Sequence, residues 1–200
     1  MGADEYHPIS RQGSNLSEAG GIGYTVVDAL DTMLIMGLDA EYQRARSWVA
    51  DELSFERDAE YNTFEVRVLR CTAVVRVALH ACFCLPPQTT IRVLGGLLSA
   101  YHLSGGDALY LTRARDLADR MLPVFDTPSG LPLSLVNLQK REGVSDVNNQ
   151  GLLGTSEVST IQLEFRYLSE LTDEDIYWKK AEHVGLRNWL MGLANMKSRA

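Results

Sequence analysis

Hydrophobic residues recur along this chain with the period of an α-helix rather than with the two-residue alternation of a strand. Apolar positions three and four residues apart place one apolar stripe on each segment, which is typical of a helix that packs on a core. Strand-like alternation is scarce. The pattern predicts amphipathic helices over Thr25–Met36, Glu41–Leu53, Ile91–Leu103, Leu109–Phe125, Val158–Leu171 and Ile176–Val184.

Helix-breaking residues separate these segments into pairs. Residues 104–107 (SGGD) join two segments, with glycines that stop one helix and an aspartate that starts the next. Residues 127–154 contain proline, glycine and paired asparagines without helical periodicity, which predicts a long loop. We therefore expect an all-α fold of helical hairpins, with long loops at one mouth where a ligand would bind.

The composition fits a globular protein, since 46% of the 200 residues are hydrophobic. The net charge of -7 and the pI near 5.1 disfavour nucleic acid and anionic membranes as partners, because both would repel the chain on average. No apolar run reaches the roughly 18 residues that span a bilayer, and residues 1–10 lack the pattern of a signal peptide. We therefore expect a neutral ligand, and no transmembrane segment or targeting signal within these residues.

The segment Val66–Gln88 differs in composition from its surroundings. It contains all three cysteines (Cys71, Cys82 and Cys84), three arginines and no acidic residue, whereas all 26 acidic residues lie elsewhere in the chain. One interpretation is a functional segment that lies on a membrane or on a partner protein. The other is a translated intron, because valine codons begin with GT and a glutamine codon ends with AG. We favour the second interpretation and assign the cysteines no role.

Removal of Val66–Gln88 would place two charged residues on one turn of helix. Glu65 would then precede Arg92 by four positions, the spacing at which two side chains stack on the same helix face. From the residues alone, an ordinary salt bridge on an exposed helix face is the favoured interpretation, because surface glutamates far outnumber catalytic ones.

Several other polar residues stand among apolar neighbours. Asp28 interrupts an apolar run, where a buried carboxylate needs a partner or a polar cavity, and we expect a structural role for Asp31 on the same face. Glu157 and Glu164 lie seven residues apart and therefore on one helix face. These two glutamates are either neutralised by nearby arginines or belong to a site. His102 lies in an amphipathic segment and is predicted to pack.

Four motifs resemble those of one enzyme family once residues 66–88 are set aside. Asn62–Glu65 (NTFE) followed by Thr89–Gly105 (TTIRVLGGLLSAYHLSG) is similar to a signature of glycoside hydrolase family 47. Three further segments resemble other motifs of that family: Gly21–Leu38 (GIGYTVVDALDTMLIMGL), Ser134–Leu138 (SLVNL) and Ile161–Leu168 (IQLEFRYL). All four motifs occur along the chain in the family's order. The chain is thus similar to the amino-terminal part of a class I α-1,2-mannosidase.

The resemblance implies a barrel of seven helical hairpins, (α/α)7, of which about the first three would be present. Residues 1–184 would then form the amino-terminal part of the catalytic barrel, interrupted by the non-family insert 66–88, and residues 185–200 would form a divergent tail. An open part of a barrel leaves apolar helix faces uncovered, so we expect poor solubility.

The resemblance also implies a reaction, the calcium-dependent hydrolysis of terminal α-1,2-linked mannose from high-mannose N-glycans with inversion. Glu65 would be the general acid, Asp28 and Arg92 would be further catalytic residues, and Glu157 and Glu164 would bind substrate. The catalytic base and the calcium-binding threonine would lie outside these 200 residues. We therefore expect this chain to be inactive as it stands, and the intact enzyme to be a monomer in the endoplasmic reticulum or Golgi lumen.

An alternative within the same family is a degradation-enhancing protein, which would bind mannose glycans without efficient hydrolysis. An unrelated all-α scaffold that binds proteins through its helix faces would leave the ordered motifs unexplained. Glycan binding and product formation therefore separate the three interpretations.

Overall fold

The computed structural model of the chain describes residues 2–63, 89–147, 151 and 160–185. Glu65, Glu157, the three cysteines and residues 186–200 lie outside the described residues, so their predicted roles stay predictions. Helices make up most of the described part, and short antiparallel strands lie in the connections between them.

The first predicted helix consists of two short helices. α1 spans Tyr24–Asp28 and α2 spans Leu30–Ile35, with Ala29 between them at φ -92° and ψ -4°. The break is slight, because the Ala29 N–H still donates to the Thr25 carbonyl (3.2 Å) and the Ala29 carbonyl accepts from the Met33 N–H (2.9 Å). Asp28 therefore lies at the last position of α1, where the helix is locally distorted.

The second predicted helix is α3, which spans Asp39–Asp51. It follows a turn at Gly37, whose φ of 67° is the left-handed conformation that glycine adopts without strain. Its apolar stripe buries Tyr42, Ala45, Trp48 and Val49. α2 and α3 thus form the first helical hairpin.

The predicted hairpin around residues 104–107 is confirmed. α4 spans Gly95–Leu103 and α5 spans Ala108–Met121. Gly105 adopts a positive φ of 78°, and the Asp107 side chain accepts the Leu109 N–H at 3.1 Å as the N-cap of α5. Gly105 therefore ends α4 and Asp107 caps the start of α5, as the sequence predicts.

Both helices of this hairpin extend into turns of a different period. A π-helix, Thr89–Leu94, leads into α4, and a 3-10 helix, Leu122–Phe125, follows α5. π-helical turns are rare and are frequent at functional sites. Here the π-helix contains Arg92, a residue predicted to belong to the site.

The third predicted hairpin is also present in the described part of the chain. α6 spans Gln162–Thr172 and ends at Asp173 in the left-handed conformation, and residues 175–185 are helical. The Phe165 ring packs edge-on against Phe125 and Tyr177, with ring centroids 5.8 and 6.2 Å apart. These rings join the third hairpin to the end of the second.

The short strands were not predicted in the sequence analysis. β1 (Glu5–His7) pairs antiparallel with β2 (Gln12–Ser14). A second antiparallel sheet contains β3 (Glu60–Asn62), β4 (Leu135–Asn137) and β5 (Glu142–Val144), in that order. Three residues are too few to show a strand's alternation. The predicted loop 127–154 therefore contains a β-hairpin, which pairs with the residues that precede Thr63.

One hydrophobic core joins these elements, and α4 lies at its centre. α4 contacts α1, α2, α5, α6 and the π-helix. A Cβ atom on Gly96 would lie 2.8 Å from the Val27 carbonyl oxygen, so α1 and α4 approach as closely as two backbones can. This contact brings the end of α1 beside the π-helix.

Several large apolar side chains remain exposed on the described surface. Ile35, Met36 and Leu163 are 74%, 66% and 77% exposed. Such exposure agrees with the uncovered helix faces expected of a partial barrel, and the predicted poor solubility stays a prediction. No helix within the described residues has the length and apolar character to cross a membrane.

Candidate active site

The predicted site residues Asp28 and Arg92 form an ion pair. The Arg92 Nε–H donates to Asp28 Oδ2 at 2.9 Å, across 64 positions of sequence. The pair is partly open to solvent, with the Arg92 side chain 32% and the Asp28 side chain 45% exposed. An ion pair this exposed contributes about 1 kcal/mol or less to stability. Its accessibility suits a role in binding better than a role in folding.

The ring of Tyr24 forms the buried floor beneath this pair. Arg92 Cζ lies 5.7 Å from the ring centroid, a cation–π distance. The Tyr24 hydroxyl and Thr89 Oγ1 share a hydrogen bond of 2.9 Å. Burial raises the pKa of Tyr24 well above its ordinary value, so the hydroxyl stays neutral.

Glu164 lies on α6 and lines a cavity that Asp28 also lines. Its Oε2 is buried and has no hydrogen-bond partner among the described residues. Burial raises the pKa of this carboxyl, because the ionised form is poorly solvated there. A buried polar atom without a partner is uncommon and calls for an explanation, such as a ligand or a water that completes it.

A cavity of about 510 Å³ brings these groups together between α2, α4 and α6. Asp28, Asp31 and Glu164 lie on its wall, with Ser99 and Gly95 of α4 between them. Arg92 reaches the wall through its bond to Asp28. The volume and the mixture of apolar surface with a few polar groups are typical of a small-ligand site.

Asp31 has a local partner, as a structural role requires. Ser99 Oγ–H donates to Asp31 Oδ2 at 2.9 Å, which links α2 to α4. His102, in contrast, is exposed at the cavity's edge, where its ring packs edge-on against the Tyr167 ring with centroids 6.4 Å apart and its Nδ1 lies 3.1 Å from the Tyr167 hydroxyl. The histidine thus makes a packing contact, as predicted, but the amphipathic pattern did not show that its side chain is exposed.

A larger concavity, of about 700 Å³, lies on another side of the molecule. It includes two lysines that already have partners: Lys179 pairs with Asp175 at 2.7 Å and Lys180 with Asp126 at 3.1 Å. None of the predicted site residues that the structure describes lines it. We therefore place the candidate site in the smaller cavity.

The two described borders of residues 64–88 meet beside this site. The Thr90 hydroxyl donates to the Thr63 carbonyl, across 27 positions of sequence, and both residues are buried. The Thr63 N–H donates in turn to the Ser134 carbonyl at 2.8 Å. The chain thus enters and leaves the intervening segment at one point.

The sequence predicted Asp28, Arg92 and Glu164 as site residues, and the structure places all three around one cavity or on its rim. The sequence pattern missed Tyr24, which contacts Arg92, and Ser99, which contacts Asp31; each contact spans more than 60 positions. The presence of a tyrosine one turn before Asp28 is the only local signal for the first of these contacts.

Comparison with known proteins shows a family match over most of the chain. The family profile for glycosyl hydrolase family 47 matches residues 1–72 and 88–195. A solved structure, the alpha-1,2-mannosidase from Trichoderma reesei, is similar with a TM-score of 0.70 and 26% sequence identity, over 92% of this chain and 35% of that chain. The predicted fold class, part of an α/α barrel, is thereby confirmed.

The chain is also similar to proteins of other organisms. It is 44% identical over 181 residues to the endoplasmic reticulum mannosyl-oligosaccharide 1,2-alpha-mannosidase of Schizosaccharomyces pombe, covering 90% of this chain and 30% of that protein. It is 40% identical to the mannosyl-oligosaccharide 1,2-alpha-mannosidase of Candida albicans, covering 92% and 28%. It spans less than a third of either relative's length. The chain belongs to glycosyl hydrolase family 47.

Proposed function

We propose that the protein to which this chain belongs is a mannosyl-oligosaccharide 1,2-α-mannosidase, which removes terminal α-1,2-linked mannose from high-mannose N-glycans. The observation that carries the proposal is the Asp28–Arg92 pair on a cavity that also holds the buried, unpaired Oε2 of Glu164. Carboxylates and a guanidinium are suited to the hydroxyls of a neutral sugar. The names of the relatives from Schizosaccharomyces pombe and Candida albicans support the same activity.

Inverting hydrolysis requires two carboxyl groups on opposite sides of the anomeric carbon, roughly 6.5–9.5 Å apart. An acid donates a proton to the glycosidic oxygen as the bond to the anomeric carbon breaks. A base takes a proton from the water whose oxygen forms the new bond, and mannose and the shortened glycan are released. We assign the acid to Glu65 by resemblance, while the base belongs to the part of the protein beyond this chain.

The remaining site residues would bind the sugar. A guanidinium has five N–H donors, so Arg92 can donate to a sugar hydroxyl or to the acid while Nε–H bonds Asp28. Burial raises the pKa of Glu164, which favours the protonated carboxyl over the ionised one, and a protonated carboxyl can donate as well as accept. Glu157 is assigned to the same sugar by resemblance. By resemblance the base is assigned to a family segment that these 200 residues do not match, and we therefore expect this chain to be inactive as it stands.

We include calcium in the proposal on the strength of the family resemblance. Hard cations such as calcium prefer oxygen ligands, six to eight in number, and can accept sugar hydroxyls among them. Within the described ranges, no group of three or more His, Cys, Asp or Glu side chains is placed to hold a metal ion.

We also propose that Val66–Gln88 is an insert foreign to the catalytic barrel. The family profile passes over residues 73–87, which supports this view. Subtracting the 23 residues of the segment from the 27 that separate Thr63 and Thr90 leaves four. A threonine hydroxyl that bonds the carbonyl four residues earlier is a common helical contact. The Thr63–Thr90 bond is therefore the one expected in an uninterrupted helix. On this view residues 1–184 are barrel, and residues 185–200, of which the family profile matches 185–195, form the proposed tail.

The protein is proposed to act on glycoproteins in the lumen of the endoplasmic reticulum or Golgi, as a monomer. The names of relatives from Schizosaccharomyces pombe and Homo sapiens assign those proteins to the endoplasmic reticulum. The net charge of -7 supports a neutral glycan over a polyanionic partner. Fluorescence microscopy of the tagged longer protein would test the compartment, and a cytosolic signal would contradict it.

The test uses the longer protein with residues 66–88 removed and a high-mannose N-glycan as substrate. We expect calcium-dependent release of mannose that a chelator abolishes. Glu65→Gln should lower kcat by about 100-fold or more, since general acid catalysis contributes 10²–10⁴. Glu52→Gln, on the exposed end of the first hairpin, is the matched control and should have no effect. Full activity of Glu65→Gln would refute the acid's assignment, and glycan binding without product would favour the non-hydrolysing alternative.

A further inference from the structure

The Arg92 side chain lies between two residues of one helix turn. Tyr24 is the first residue of α1 and Asp28 the last, so the two side chains project from the same face, four positions apart. The Tyr24 ring lies 5.7 Å from Arg92 Cζ, and the Asp28 carboxylate accepts the Arg92 Nε–H at 2.9 Å. The guanidinium is therefore held by two contacts, one with the ring and one with the carboxylate.

The Tyr24 hydroxyl makes a second connection to the element that carries Arg92. It shares a 2.9 Å hydrogen bond with the hydroxyl of Thr89, the first residue of the π-helix. Both side chains are fully buried. Since Arg92 lies three residues after Thr89, the tyrosine holds both the backbone and the side chain of this turn.

The Asp28–Arg92 bond alone is a weak constraint. Both side chains are partly exposed, and solvent screens such a pair while arginine keeps many rotamers. A buried ring, in contrast, is held by the packing around it and offers one fixed face. The orientation of the guanidinium therefore depends on the tyrosine more than on the ion pair.

We propose that Tyr24 is a positioning residue for hydrolysis, which holds the Arg92 guanidinium against Asp28 and so leaves its terminal nitrogens to meet the sugar. This inference rests on the proposed function, in which Arg92 orients substrate. It adds a residue that acts through Arg92 and does not touch the sugar.

The test is a double-mutant cycle in the longer protein that lacks residues 66–88. Tyr24→Leu removes the ring and the hydroxyl, and Tyr24→Phe removes the hydroxyl alone. Each is combined with Arg92→Met. Tyr42→Leu, which deletes a buried ring against Tyr110 in another part of the core, controls for lost packing. The readouts are kcat/KM for mannose release and the free energy of unfolding in urea.

Tyr24→Leu should lower kcat/KM by about tenfold where Arg92 is present and by less than about twofold in the Arg92→Met background, as expected of a cation–π contact between a buried ring and a partly exposed guanidinium. Tyr24→Phe should retain most activity. Tyr42→Leu should lower stability equally in both backgrounds. An equal loss of kcat/KM from Tyr24→Leu with and without Arg92 would overturn the proposal.

The two proposals fail in different ways. If the protein with native Tyr24 and Arg92 releases no mannose, the proposed function fails. The free energies of unfolding of the variants then test the contact between Tyr24 and Arg92. A non-zero coupling between Tyr24→Leu and Arg92→Met in the free energy of unfolding then supports the contact. Strict additivity of the two substitutions would overturn it.

Discussion

The close approach of α1 and α4 makes Gly96 a sensitive position. A Cβ at residue 96 would lie 2.8 Å from the Val27 carbonyl oxygen and 3.2 Å from its carbonyl carbon. Backbone atoms cannot rotate away as a side chain can, so Gly96→Ala must push the two helices apart. The neighbouring Gly95 has no such contact, since a Cβ there would meet the Thr90 carbonyl oxygen at 3.7 Å.

The two glycines therefore form a matched pair. Replacing glycine by alanine inside a helix stabilises it by up to about 1 kcal/mol through the helix propensity. At Gly95 this gain should appear nearly in full. At Gly96 the overpacking opposes it by about 1–3 kcal/mol, so Gly96→Ala should be about 1–3 kcal/mol less stable than Gly95→Ala.

Urea unfolding followed by circular dichroism measures this difference as a shift of the midpoint at constant slope. Gly96→Ala should also weaken the Asp28–Arg92 pair, because Asp28 follows Val27 directly. Equal unfolding midpoints for Gly95→Ala and Gly96→Ala would refute the close packing of α1 on α4, and with it our explanation of how the site is assembled.

Three further predictions follow from single residues. Burial raises the folded-state pKa of Glu164, so the free energy of unfolding should fall as pH rises from about 4.5 through that higher pKa. Glu164→Gln should remove this pH dependence when unfolding is measured at several pH values. A pH profile of stability that the substitution leaves unchanged would contradict the prediction. Asp4 is buried and accepts the N–H groups of Leu16, Ile22 and Gly23 at 3.1, 2.8 and 2.9 Å. Asp4→Ala should therefore lower the free energy of unfolding by about 3 kcal/mol or more. A drop in melting temperature of less than a few degrees would count against this prediction. The hydrogen bond from Arg46 lowers the pKa of Asp107, so the ionised carboxylate stabilises the fold above pH 3.8, and this stabilisation is lost as pH falls through the lower folded-state pKa. Asp107→Asn should keep the N-cap of α5 and lose this dependence on acid. Unfolding of both proteins at pH 3 and pH 7 measures the cap and the acid dependence.

Local sequence signals were sufficient to predict the helical hairpins. Asp107 caps α5 through the N–H two residues ahead, and Gly105 ends the preceding helix through its own backbone conformation. Both effects depend only on neighbours in sequence. The distortion at Ala29 and the π-helix before Arg92 were not predictable, because apolar periodicity does not resolve a change of one residue in helix register.

Long-range contacts were beyond the sequence pattern. Asp4 satisfies the start of α1 from about 20 positions away, and the three strands of the second sheet join segments more than 70 positions apart. Among the described residues Arg92 pairs with Asp28, a contact the sequence pattern did not show, while its predicted neighbour Glu65 lies outside the described residues and stays a prediction. The resemblance predicted which residues belong to the site, and only the packing of α1 on α4 shows which of them touch.

We propose that the cavity beside Asp28 and Arg92 binds the mannose that is removed. The most direct test is mannose release by the longer protein lacking residues 66–88, with Asp28→Asn compared with Asp51→Asn on the exposed end of α3. We predict that Asp28→Asn lowers kcat/KM more than about tenfold, because a charged hydrogen-bond partner is lost, while Asp51→Asn leaves it unchanged. Equal activity of the two variants would contradict the claim.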